Sequence, residues 1–206
     1  MVRVLGRANS INVQKVMWLG AEVGLDIDRV NIGGPFGGND KPEYFAKNPT
    51  GKIPTLEDGE LILWESHTIV RYIAEVYGSS PWWPEKIEDR YHANQWMDFY
   101  VSTLHPSMTS MYYTLIRTAP EDRDLASLDK AVTEAGNAWT IVDGHLANNK
   151  FMTGTAPTMG DIPLACAAYR WHNLDISRPD LPHLKAWYET FAARLAFQQN
   201  VMLPMS

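Results

Sequence analysis

Three short stretches bring together side chains suited to handling a small charged ligand. In "WESHTIV", residues 64–70, Ser66 opens an apolar helical pattern, so its hydroxyl and the first free backbone N–H groups form an anion site that the helix dipole reinforces. Glu65 beside it can hold an ammonium, and the pair suits an α-amino acid terminus carrying both charges. The competing reading is a plain N-cap with an acid near a helix start. In "NPTGKIPTL", residues 48–56, Pro54 lies just before a strand, where its missing donor falls outside the ladder. A cis Ile53–Pro54 bond would turn the Ile53 N–H and C=O outward, able to pair with an extended peptide, and Lys52 adds a cation. An ordinary Pro-containing turn is the alternative. In "ANSINVQKV", residues 8–16, Ser10 reads as the cap of a helix and Asn12 as a polar residue of its first turn.

These side chains need elements to hold them. "VRVL", Val2–Leu5, reads as a buried strand; Val13, Val16, Gly20 and Val23 then recur at helical spacing, and Gly24 is placed as a stop. "IDRVNI" (27–32) alternates as a second strand, "GGPFGGND" (33–40) is a loop by composition, and "PEYFAK" (42–47) is a short helix opened by Pro. "IPTLEDGELILWE" predicts two strands around Asp58-Gly59, and Ile69, Tyr72, Ile73 and Val76 predict a helix ended by Gly78. The order over residues 1–80 is therefore βαβαββα.

"GSSPWWPEK" (78–86) interrupts all periodicity, and beyond it, over residues 87–206, only helices are predicted. Ala93, Trp96, Met97, Tyr100 and Leu104 mark a long one that Pro106 should bend; Ala131, Ala135, Ala138, Val142 and Leu146 mark a second. Thr158 with Asp161 three residues on reads as a shortened capping box for a third, and "LPHLKAWYETFAARLAF" as a single last helix. An α/β module followed by an all-α module predicts a cleft between them.

Composition narrows the classes. The net charge is −6 and no Lys/Arg-rich run could track a phosphate backbone, so no nucleic-acid partner is expected. One cysteine, Cys166, leaves no internal disulfide or CxxC pair and reads as a buried structural thiol. Neither a leader-like start nor a run approaching 18 apolar residues is present, so the expectation is a cytoplasmic chain without a membrane partner. The six His show no metal-ligand spacing, and no metal is expected.

Taken together, the βαβαββα order, "GRANSINVQKV", "NPTGKIPTL", "LWESHTIVRYIA" and a helical half containing "PTMGDIPLA" resemble the cytosolic glutathione transferases. The likeness is closest to the bacterial theta-, beta- or nu-like members with Ser/Thr-x-Asn in place of a catalytic Tyr, and it spans essentially the whole chain. It implies an N-terminal thioredoxin-like domain, an all-α C-terminal domain and a homodimer. It also implies that the backbone at Ile53 and Pro54 pairs with the cysteinyl part of glutathione, the co-substrate. Glu65 and Ser66 would hold its γ-glutamyl end, Lys52 its glycyl carboxylate, and Asn39 would reach the same end.

Ser10 and Asn12 fall where the family places its thiol-activating groups, with Asn12 touching glutathione whichever is the main donor. Lowering a thiol pKa by about two units corresponds to nearly 3 kcal/mol, within reach of one hydrogen bond and a helix N-terminus. The second substrate would meet Arg7, Ala8 and Asn9, and a helical face carrying His105, Met108, Thr109 and Tyr112, a stripe that serves equally well as core or dimer contact. Arg7 would draw in small anionic electrophiles such as α-halo acids. The resulting expectation is a glutathione transferase acting in detoxification. Its rivals are a glutathione-dependent disulfide reductase, marked by preference for disulfide substrates, and a non-enzymatic binding or scaffold protein, which has no need of Ser10, Lys52, Glu65 and Ser66.

Overall fold

Val2, Val4 and Leu5 are buried in a nearly unbroken run, as in a strand covered on both faces. They form β1 (Val2–Leu5), interior in a four-stranded sheet ordered β2-β1-β3-β4. β2 (Ile27–Val30) runs parallel to β1, which requires a crossover, and α1 (Ile11–Glu22) supplies it. A single turn, α2 (Pro42–Phe45), precedes β3 (Thr55–Asp58), which is antiparallel to β1 with Leu5 opposite Thr55. The Asp58-Gly59 signal is a hairpin to β4 (Leu61–Trp64), with Gly59 at φ 60°. α3 (Ser66–Val76) follows and packs against α1; Ile69, Ile73 and Ala74 of α3 and Val13, Val16 and Leu19 of α1 are all fully buried. The βαβαββα order is the one observed.

The computed structural model describes residues 1–206. They divide into Met1–Trp83 with Leu195–Pro204, and Pro84–Arg194 with Met205–Ser206. The first unit thus takes back ten C-terminal residues that a boundary near 80 assigns to the second. The single last helix expected from "LPHLKAWYETFAARLAF" is two: α8 (Pro182–Ala192) and α9 (Leu195–Asn200). The break follows from where the apolar groups go. Phe197 of α9 meets Trp18 of α1 edge-on at 4.8 Å, and the buried Gln14 amide donates to the Val201 carbonyl at 3.3 Å.

The second unit is helical: α4 (Ile87–Phe99), α5 (His105–Tyr112), α6 (Leu125–Leu146), α7 (Asp161–Asn173) and α8. Where Pro106 predicts a bend, a π-helical segment, Tyr100–Leu104, lies immediately before α5. Proline removes an N–H that an α-turn needs, and a widened turn accommodates the missing bond. Gly160 lets α7 begin close to α4, since a Cβ there would lie 2.9 Å from the Ala93 Cα.

Candidate active site

The loop between β1 and α1 is held to β2 by backbone. Gly6 N–H donates to the Val30 carbonyl at 2.8 Å and Arg7 N–H to Ile32 at 3.0 Å. A turn from Arg7 to Ser10 then delivers Ser10 to the N-cap of α1, in extended conformation (φ −79°, ψ 124°), its carbonyl accepting from Gln14 N–H. The position is that of a cap, but the Ser10 side chain makes no cap hydrogen bond. Its half-buried hydroxyl stands at a helix N-terminus whose first turn has no acid. Such a place favours negative charge.

Asn12, one residue into the helix, uses only its oxygen. Asn12 Oδ1 accepts from Lys15 Nζ at 2.9 Å and from Ser66 Oγ at 3.3 Å, so Nδ2 keeps its two donors. Lys15 is 1% exposed, and its Nζ also lies 3.1 Å from Nε2 of the buried His67. Ser66 is the buried first residue of α3, and Glu65 before it sits at φ 69°, ψ 110° with its side chain exposed. Glu65 is alone among non-glycine residues in having positive φ. L-residues with strained backbone persist where the surroundings hold them, and they cluster at functional sites.

A third segment is fixed by a polar network that the motif reading did not include. The Ile53–Pro54 bond is cis, and the Ile53 N–H and C=O enter no backbone hydrogen bond. Asn48 makes an Asx turn, its Oδ1 accepting from Thr50 N–H at 3.0 Å, while its Nδ2 donates to the Lys52 carbonyl at 2.7 Å. Tyr44 OH donates to the same carbonyl at 2.6 Å and accepts from Thr55 Oγ1 at 2.9 Å. Burial pushes the Tyr44 phenol up, which keeps it a donor. Lys52 therefore has a pinned backbone and an exposed side chain. Asn39 Nδ2 donates to the Gly51 carbonyl at 2.9 Å, tying the preceding loop to this one.

The remaining predicted residues fall in both units. Arg7 Nη1 donates to Asn9 Oδ1 at 2.6 Å, with Ala8 half-buried between them. Along α5, Met108 and Tyr112 are buried, and His105 Nδ1 lies 3.1 Å from Tyr100 OH. Tyr112 OH donates to the Ser206 carbonyl at 2.8 Å, and the Arg170 guanidinium stacks on its ring at 4.0 Å. No group of three or more His, Cys, Asp or Glu side chains is placed to hold a metal ion.

Residues 1–75 match the glutathione S-transferase N-terminal domain and residues 104–194 the C-terminal domain. Over its full length the chain is 36% identical to glutathione S-transferase GstB of Escherichia coli (strain K12), all of which it covers. The chain belongs to the glutathione S-transferase family. It is also 31% identical to glutathione S-transferase 3 of Zea mays, over 97% of this chain and 93% of that one. A theta class glutathione S-transferase of Xanthomonas axonopodis pv. citri, solved with glutathione bound, superposes with a TM-score of 0.96 at 40% identity, covering 100% of this chain and 99% of that one.

In this transferase the buried carboxylate of the helical unit is structural. Asp161 Oδ1 accepts from Met152 N–H and Trp187 Nε1, each at 3.0 Å, and Oδ2 accepts from Thr158 N–H at 2.9 Å. Thr158 Oγ1 accepts in turn from Gly160 N–H at 3.2 Å. The reciprocal box expected here is half realised: the carboxylate reaches back to Thr158, while the hydroxyl serves Gly160 one residue before α7. Burial outweighs these bonds and pushes Asp161 up to about 6. Cys166 is fully buried in the same helix.

Proposed function

We propose that this transferase binds glutathione on its first unit and stabilises the thiolate with Ser10 and Asn12. The observation that carries the reading is two sets of donors left unengaged at one helix start: a Ser10 hydroxyl that makes no cap bond, and Asn12 Nδ2 whose partner oxygen alone is bonded. A developing S⁻ beside them would gain hydrogen bonds to charge, about 1.5–3 kcal/mol each. No general base is needed. Glutathione's remaining groups would find complementary chemistry on the same unit. Glu65 and the N-terminus of α3 at Ser66 suit the γ-glutamyl ammonium and carboxylate, the unpaired Ile53 backbone suits the cysteinyl peptide, and Lys52 with Asn39 suits the glycyl carboxylate. The thiolate then attacks an electrophilic carbon, forming a C–S bond as a leaving group departs or as a double bond is added across, with proximity contributing much of the rate.

For the electrophile we propose a small anionic molecule such as an α-halo acid. Arg7, held by Asn9 in the loop leading to Ser10, places a guanidinium close in sequence to the donors. A detoxifying role, a cytoplasmic setting and a homodimer belong to the same proposal. Comparing kcat/KM for a halo acid and its neutral amide in wild type and Arg7→Ala tests the assignment: the acid should lose about tenfold or more and the amide little. Equal losses would remove Arg7 as the specificity element, and turnover of disulfides above both halo substrates would favour a glutathione-dependent reductase.

A further inference from the structure

Lys15 has no part in the reading above, yet its ammonium lies fully buried among groups that do. Burying a cation costs several kcal/mol unless its donors are well paired. Here the pairing includes Asn12 Oδ1 at 2.9 Å, one turn back on α1, and His67 Nε2 at 3.1 Å, on the first turn of α3. Chemistry decides which way the amide faces. An ammonium has three donors and no acceptor, so the Asn12 atom beside it must be the oxygen, and the Ser66 hydroxyl donates to that same oxygen at 3.3 Å. The same logic makes His67 Nε2 an acceptor toward Lys15. With the oxygen held from two sides, Nδ2 is the only group Asn12 can offer to a ligand.

We infer that Lys15 is a positioning residue: its buried ammonium locks the Asn12 side chain with the oxygen turned inward, so that Asn12 presents N–H donors to a sulfur anion. The inference rests on Asn12 being a thiolate donor. Without Lys15 the amide can reverse, and an oxygen facing S⁻ would repel it. A merely structural Lys15 would change stability and leave the acidity of bound glutathione alone, which separates the two roles.

The test uses three full-length variants: Lys15→Met, which removes the donor and the charge; Lys15→Gln, which keeps an N–H donor near Asn12 Oδ1; and Lys15→Met in an Asn12→Ala background. Two quantities are read. The first is the pH at which glutathione bound to the protein shows thiolate absorption. The second is the NMR signal of the Asn12 side-chain amide in ligand-free protein. Lys15→Met should move the thiolate midpoint up by about one unit, a tenfold weaker ionisation of the bound thiol, and should shift both side-chain amide proton signals of Asn12 toward those of an unrestrained amide. Lys15→Gln should restore most of both, and in the Asn12→Ala background the further shift should be below about 0.3 unit. The idea is overturned if Lys15→Met leaves the amide signal as in wild type, if Gln behaves as Met does, or if the shift persists without Asn12. A wild-type protein whose bound glutathione titrates as free glutathione, with the amide response intact, would overturn the thiolate reading and leave the Lys15–Asn12 coupling standing.

Discussion

Ser10 and Thr158 look alike in sequence, each a hydroxyl before a helix, but the structure employs them differently. Around Thr158 the polar groups close on one another: the hydroxyl takes Gly160 N–H, and Asp161 accepts from Met152, Thr158 and Trp187. Around Ser10 they do not close. The hydroxyl makes no cap bond, and of the Asn12 amide only the oxygen is engaged. A buried cluster whose capacity is used up fixes a fold; one with donors to spare at a partly exposed helix start can serve a ligand.

The contrast is broken most forcefully at Asp161. Asp161→Ala would strand the Met152, Thr158 and Trp187 donors in the core, and should destabilise the protein by about 4 kcal/mol, at about 1–3 kcal/mol per unmet group. Chemical denaturation checks this. The pH dependence has a defined sign. Its carboxyl titrates near 6 folded and near its ordinary value unfolded, so between about pH 4 and 6 the native state binds more protons. The Asp161 contribution therefore favours folding more as pH falls through that window and less as it rises to neutrality. The stability difference between wild type and Asp161→Ala should grow from pH 7 toward pH 4. A difference that is flat with pH would mean the carboxylate is better solvated than its burial indicates.

A smaller and opposite effect is expected at Glu65. Its positive φ costs about 1–3 kcal/mol, which glycine avoids. Glu65→Gly should raise stability by up to about 1 kcal/mol once the added freedom of the unfolded chain is counted. It should at the same time weaken glutathione binding, measured by calorimetry. Loss of stability with unchanged binding would assign Glu65 to the fold.

How much of this can be read from the chain depends on how local each cause is. The first strand, α1 with its Gly24 stop, the hairpin at Asp58-Gly59 and the helix at Ser66 all follow from neighbours a few residues away. So does the Asn48 turn, whose motif is visible although its partners Tyr44 and Thr55 are not. The break between α8 and α9 has no local signal, because the apolar period runs through it; Phe197 leaves to meet Trp18, nearly 180 positions earlier. Lys15 is hidden for a similar reason. In a helix a lysine reads as a solvated charge, and only the arrival of His67 and Ser66 on α3 encloses the group it holds. Whether Ser10 acts as a cap was also beyond the sequence, since a cap and a free hydroxyl share one residue type and one position.

The most direct measurement is the thiolate absorption of glutathione bound to wild type, Ser10→Ala and Asn12→Ala, followed against pH. Wild type should show bound thiolate at a pH about two units below free glutathione, and each variant should recover about one unit or more of that shift, each unit being about 1.4 kcal/mol. Ser10→Ala should meanwhile leave unfolding stability within about 0.5 kcal/mol, because no cap bond is lost. Midpoints unmoved in both variants, with Ser10→Ala destabilised by the 1 kcal/mol or so of a lost cap, would contradict the account and return both residues to the helix start.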